Sequence, residues 1–347
     1  MITEGIAMTK DLVSVIMSNY NTDETYLRKS IDSILSQTYE NFEFIIVDDC
    51  STNNSVEIIE SYNDCRIKLI KNEQNIGITK SLNIAIKNAN GEFIARMDAD
   101  DISLAQRFEK QVEFLTRNPE YIACGTAIEI IGSHEEGKII YRKIPDIETF
   151  RIYLLFGNYP NIAHPTAMFN HFLLKKFEIE YDEKYILAQD YKMWVNCSKV
   201  APCYNIDDVL LQYRVHDKAV SVEKQQLQKD IASQIILEQL QMLNISCNGE
   251  ILEIHRNFLF ERKEYNLKFK KWIKKLISQN KKKKLYNARK FKTILWQRWA
   301  EISYYALTKT RNPVQIVKIL SNVPFMYWNI LLETYKHRHV RVKEHEK

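Results

Sequence analysis

The sequence predicts an α/β fold: buried strands alternating with amphipathic helices to form a sheet with helices on its faces, followed by a smaller helical region. Three observations carry this. Short β-branched apolar runs recur through the first hundred residues, each ending in a polar or acidic turn. Segments of helical period separate them, and beyond about Ser221 the alternation gives way to helical periodicity alone. At 347 residues the chain has room for two units. They are expected as an α/β domain over 1–220 and a helical, basic region over 221–347.

Leu12 to Met17 reads as the first buried strand and closes on the turn Ser18-Asn19-Tyr20-Asn21. Leu27, Ile31, Ile34 and Leu35 then fall at helical spacing, with Thr22 or Asp23 available as a cap. Phe44 to Val47 is the second strand; it ends in Asp48-Asp49, ahead of a short helix around Val56 to Tyr62. Arg66 to Ile70 is the third. Asn75-Ile76-Gly77 leads into a helix carrying Leu82, Ala85, Ile86 and Ala89, which stops at Asn90-Gly91. The fourth strand, Phe93 to Met97, runs into Asp98-Ala99-Asp100-Asp101. Next come a helix over Leu104 to Arg117, a strand over Tyr121 to Ile131 and a helix over Ile147 to Phe156. A turn into a strand follows at 161–169, then a helix opened by Ala188-Gln189-Asp190 and a strand over Val209 to Val215. In the last third, Tyr265, Phe269, Trp272 and Leu276 share one helical face, which Lys281 to Lys284 is expected to interrupt.

Composition excludes several classes. With 45% apolar and 27% charged residues the chain is neither disordered nor fibrous. No apolar run nears the roughly 18 residues of a membrane span, and no basic-then-apolar leader opens it, so a cytoplasmic location is expected. Six scattered cysteines without a C-x-x-C pair read as reduced packing thiols, not as disulfides or a zinc site. No strand is followed by G-x-G-x-x-G or G-x-x-x-x-G-K, which excludes a dinucleotide fingerprint and a P-loop. The net charge of +5 conceals an asymmetry: Arg256 to Lys292 holds 15 Lys or Arg against two acids. That segment needs an anionic partner.

Three carboxylates within four residues repel one another and call for a cation. At the end of a parallel strand, where open α/β sheets bind ligands, they suit a divalent metal that grips a diphosphate.

Together, Val13 to Asn21, the Asp48-Asp49 strand end, Asn75-x-Gly77 and Asp98-Ala99-Asp100 resemble the signature of the inverting family 2 glycosyltransferases, which have a GT-A fold. The resemblance spans roughly residues 10–220 and is closest to bacterial enzymes that build capsular or lipopolysaccharide chains. It implies a nucleotide-sugar donor, most simply a UDP-sugar, a Mn²⁺ or Mg²⁺ ion, and a saccharide acceptor. By that resemblance Ser18, Tyr20 and Asp49 hold the nucleobase, Lys80 touches phosphate, Asp98 orients donor hydroxyls and Asp100 ligates the metal. His216 would be a further metal or phosphate ligand and His164 would line the acceptor pocket. Gln189-Asp190 stands where the family has an E-D pair, with glutamine in place of the first acid, and makes Asp190 the general base. Arg107 is expected either to neutralise the acid cluster or to touch the donor, and Asp101 to cap the next helix. Acceptors in such pathways are commonly lipid-linked. The basic helices are therefore expected to hold the enzyme on the inner face of the cell membrane through charge and the inserted rings of Phe269 and Trp272. Two competing readings remain: a catalytically inactive, membrane-docked assembly protein with this fold, and a nucleic-acid binder acting through Lys281 to Lys284.

Overall fold

The computed structural model describes residues 9–157, 161–215, 225–259, 266–310 and 312–328. The chain forms two compact units, residues 1–147 with 160–232, and residues 148–159 with 233–347. Residue 220, the expected boundary, lies outside the described residues.

In the first unit, strands and helices alternate in chain order. They are β1 (Thr9–Asn19), α1 (Glu24–Leu35), β2 (Phe42–Asp48), α2 (Ser55–Glu60), β3 (Ile67–Lys71), α3 (Ile78–Lys87) and β4 (Gly91–Asp98). Then come β5 (Ile102–Ser103), α4 (Arg107–Arg117), β6 (Ala123–Ile131) and β7 (Ile139–Ile140). After α5 (Ile147–Leu154), which falls almost wholly in the second unit, follow β8 (Met168–Asn170), α6 (His171–Lys176), α7 (Gln189–Cys197) and β9 (Cys203–Arg214). The sheet runs β3-β2-β1-β4-β8-β6-β9-β5, with β7 beside β6. β1 to β4 pair in parallel, β8 is antiparallel to both β4 and β6, and β9 is parallel to β6. The sheet is therefore mixed.

Burial explains the continuous apolar runs: every residue of β2 is buried, as a parallel strand covered on both faces requires. The alternate positions Phe42, Phe44 and Ile46 share a core cluster with Val13, Val15, Met17, Ile31 and Ile34. At Gly91 a Cβ would stand 2.5 Å from the Leu12 carbonyl oxygen, so only glycine admits the close start of β4 beside β1. β9 begins upstream of the expected Val209 because Cys203 and Asn205 already pair with Ala123 and Gly125 of β6. α4 starts at Arg107 and not at Leu104, since Ile102-Ser103 instead pairs with β9.

The second unit comprises α5, the part of α8 (Gln225–Met242) from Ser233 on, α9 (Gly249–Leu259), α10 (Leu267–Lys283), α11 (Ala288–Lys309) and α12 (Pro313–Leu320). Its interior corrects one expectation. Phe269 and Trp272 of α10 are buried with Ile273 and Leu276, and the Trp272 indole N–H donates to His255 Nδ1 at 3.1 Å. They form the unit's core and are not available for insertion into a bilayer. Lys281 to Lys283 do not interrupt the helix either: α10 runs through them and ends at Lys284, which takes the left-handed cap conformation. Among the described residues no helix is long and apolar enough to cross a membrane.

Candidate active site

The C-terminal ends of β1, β2 and β4 lie side by side, because Asn19 pairs with Asp48 and Ser18 with Asp98 in the ladder. Ser18 is partly buried there, and the Tyr20 ring just beyond is 50% exposed, open to a planar partner. Asp48 is internal: it accepts from Asn19 Nδ2 (2.7 Å) and from the Ser51 hydroxyl (2.6 Å) and N–H (2.9 Å). Asp49 holds the next loop. Its carboxylate accepts from the backbone N–H groups of Ile76 (2.9 Å) and Gly77 (2.8 Å) and from Asn72 Nδ2 (2.8 Å). Gly77, at φ 86°, lets that loop turn into α3, whose exposed Lys80 follows in the first turn.

At the end of β4, Asp98, Asp100 and Asp101 each offer a carboxylate oxygen, all within 4.8 Å of one another. Two features fit a hard divalent cation: an all-carboxylate donor set, and an Asp101 Oδ2 that is buried without a hydrogen-bond partner among the described residues. Asp101 does not cap a helix as expected. Its other oxygen accepts from the Arg214 N–H at 2.7 Å and ties the cluster to the end of β9, while Arg214 Nε donates to the Asp100 carbonyl at 2.8 Å. Burial, then repulsion from Asp98 and Asp100, pushes the Asp101 carboxyl well above the ordinary carboxylate range.

The cation that answers this charge inside the protein is Arg96, one strand position before Met97. Its guanidinium is buried and ion-paired through Nη1 to Asp98. Burial raises the Asp98 carboxyl while Arg96 opposes the rise, and Asp100 and Asp190 add repulsion. Asp190 therefore stands near enough for its charge to be felt at Asp98, although it comes from the first turn of α7. Its own carboxyl is raised by burial, against the opposing N–H of Tyr191 and the charges of Arg96 and Arg142. Beside it, Gln189 has a buried Oε1 without a hydrogen-bond partner among the described residues.

His164 Nε2 and the Tyr181 hydroxyl are 2.7 Å apart, and Tyr181 is buried within the fields of Arg96, Asp190 and Asp98. Burial and Arg96 hold the His164 imidazole well below its ordinary value, so it is neutral. Arg107 forms no ion pair with the acid cluster among the described residues, although its charge is near enough to be felt by Asp101. Fully buried, it donates to Gln111 Oε1 (3.0 Å) and to the carbonyls of Arg96 (2.7 Å) and Ala167 (3.4 Å), and so fastens α4 to β4. His216 lies outside the described residues. A cleft of about 750 Å³ between α3 and α6 shares no residue with the carboxylates.

Arg96 and Tyr181 were not foreseen from the sequence. A charged residue inside the run Phe93 to Met97 was the available signal for Arg96; Tyr181 gave none.

A model described as glycosyl transferase family 2 matches residues 14–177. An uncharacterised glycosyltransferase of Methanocaldococcus jannaschii is 40% identical over 218 residues, 61% of this chain and 73% of that protein. The Escherichia coli protein WfaP, named a UDP-Glc:alpha-D-GlcNAc-diphosphoundecaprenol beta-1,3-glucosyltransferase, is 32% identical over 215 residues, 62% of this chain and 81% of its own. Residues 1–349 of S. aureus TarS, solved with UDP-GlcNAc, share the fold at a TM-score of 0.54 and 19% identity, with 86% of this chain and 93% of that one covered. The mixed sheet is thus the GT-A fold, and the chain belongs to glycosyl transferase family 2, whose members act on nucleotide sugars.

Proposed function

We propose that the chain is a metal-dependent, inverting transferase that moves a sugar from a UDP-sugar to a saccharide acceptor, lipid-linked and destined for bacterial surface polysaccharide. The observation that carries this reading is the convergence of Asp190 with Asp98, Asp100 and Asp101 around the buried Arg96. The similarity to WfaP, whose name specifies a UDP-sugar donor and a diphosphoundecaprenol acceptor, supports the donor and the lipid link.

In this reading the exposed Tyr20 ring stacks on the base beside Ser18 and Asp49, whose carboxylate also fixes the flanking loop at Ile76 and Gly77, and Lys80 meets phosphate. Asp98, held by Arg96, orients donor hydroxyls. Asp100, with Asp98 and Asp101 beside it, would hold Mn²⁺ or Mg²⁺, and His216 is a further candidate ligand. When bound, the cation offsets the negative charge of the departing diphosphate. Asp190 takes the proton from the acceptor hydroxyl as its oxygen attacks the anomeric carbon from the face opposite the nucleotide. The sugar–phosphate bond breaks on the other side and configuration inverts. Gln189 and the neutral His164 lie on the acceptor side of this arrangement.

A screen of nucleotide sugars for release of the nucleoside diphosphate tests class and donor together. Release is expected with a UDP-sugar and Mn²⁺ or Mg²⁺, to stop with chelator, and to be lost in Asp100→Ala together with metal-dependent UDP binding. Undiminished release in chelator would refute the metal's role.

A further inference from the structure

α12 and the turn after it carry large apolar side chains that the second unit leaves in solvent. Val314 and Val317 on one face of α12 are 73% and 66% exposed, and Phe325 and Met326 in the short 3₁₀ turn after it are 84% and 69% exposed. Isolated exposed apolar residues are unremarkable, but here four lie within thirteen positions of the chain, with Trp328 partly exposed beside Phe325.

The turn is anchored, so this exposure is a held conformation. Val323 and Tyr327 are buried, Tyr327 stacks on Trp296, and the Trp299 and Trp328 indole N–H groups donate to the carbonyls of Asn322 (3.1 Å) and Val323 (3.2 Å). Between these anchors Phe325 and Met326 are presented outward.

Along this stretch of the chain the charge has one sign. From Ile302 to Trp328 the sequence contains Lys309, Arg311 and Lys318 and no acid. Lys270 of α10 reaches Asn322 Oδ1 at 2.7 Å, which brings the acid-free, eight-lysine α10 against the same turn. Exposed aromatic, thioether and valine side chains bordered by lysines match the two layers of an anionic bilayer surface, acyl chains beneath and negative headgroups around them.

We propose that Val314, Val317, Phe325 and Met326 form a membrane-insertion edge whose partner is the anionic surface of a lipid bilayer. This deepens the lipid-linked part of the proposed function and moves the contact from the buried Phe269 and Trp272 to residues that can reach lipid. The insertion is shallow and reversible, since it uses side chains alone, and the lysines make it sensitive to salt.

The test is sedimentation of the full chain with vesicles of phosphatidylglycerol and phosphatidylcholine, against phosphatidylcholine alone, with neither donor nor acceptor present. The wild type is expected to sediment with the anionic vesicles at low salt and to be released by high salt. Phe325→Ser combined with Met326→Ser should weaken partition at least tenfold, and Val314→Ser with Val317→Ser should do so independently. Nucleotide release with a water-soluble acceptor, measured on the same preparations, should be unchanged and reports on the transferase reading separately. Wild-type protein left in the supernatant, or variants that partition as well as wild type, would overturn the proposal. So would a wild-type dimer that the double substitution splits, because the edge would then be covered by a second copy.

Discussion

Arg96 is a buried cation in the otherwise apolar run Phe93 to Met97 of β4, and three of its neighbours feel its charge. It pairs with Asp98, opposes the rise of Asp190 and adds to the burial that holds His164 neutral. Removing it leaves Asp98 without its partner, a loss of 3–5 kcal/mol for a fully buried pair. The Asp98 side chain is 28% exposed, so Arg96→Met should cost about 2–3 kcal/mol in urea unfolding, and Arg96→Lys less. A stability change below about 0.5 kcal/mol, the range of ordinary surface substitutions, would show that the pair is not a structural bond. At this scale the acids of the site were legible, because a D-x-D cluster at a strand end has few structural uses. Their counter-ion was not: the sequence places Arg96 next to the acids but does not say that its side chain turns back toward Asp98. Arg107 illustrates the same limit. Its position suggested the acid cluster, whereas the fold directs it to backbone carbonyls.

In the helices, periodicity told which side chains share a face and not what covers that face. Phe269, Trp272 and Leu276 do share one face, Tyr265 lying outside the described residues, but the partner of that face is the unit's own interior, including His255. His255 accepts the Trp272 N–H on Nδ1, and its Nε2 hydrogen bonds the Leu155 carbonyl at 2.9 Å. A second ring proton would meet the indole N–H, and burial lowers this imidazole to about 4. The unfolded chain takes up that proton near pH 6.5. Between about pH 6.5 and 4 the unfolded state therefore binds more protons, and the second unit should lose up to about 3 kcal/mol as the pH falls through this window. Thermal melts across that range should show a shallower acid dependence in His255→Gln, which can still accept from Trp272 and donate to Leu155. Identical slopes would remove His255 as the cause. Two-residue strands such as β5 and β7 were invisible for a related reason: two positions define no period, and only pairing makes them strands, β5 with the distant β9 and β7 with the preceding β6.

Across the whole chain, the alternation of elements and the order of the three polar strand ends were enough to anticipate the α/β class and, by resemblance, the GT-A fold. The antiparallel insertion of β8 between β4 and β6 was not, since strand order depends on contacts between segments far apart in sequence. That same long-range folding makes the site. β4 delivers Asp98, Asp100 and Asp101, while α7 delivers Asp190 after four further strands of the sheet have intervened in the chain. If Asp190 is the base that this arrangement supplies, Asp190→Asn keeps the shape and removes only proton acceptance. The most direct measurement is the rate of metal-dependent sugar transfer by Asp190→Asn beside wild type, with UDP affinity read by calorimetry on both. A fall of about 10²- to 10⁴-fold in kcat is expected, with UDP affinity unchanged; transfer at the wild-type rate would contradict the account.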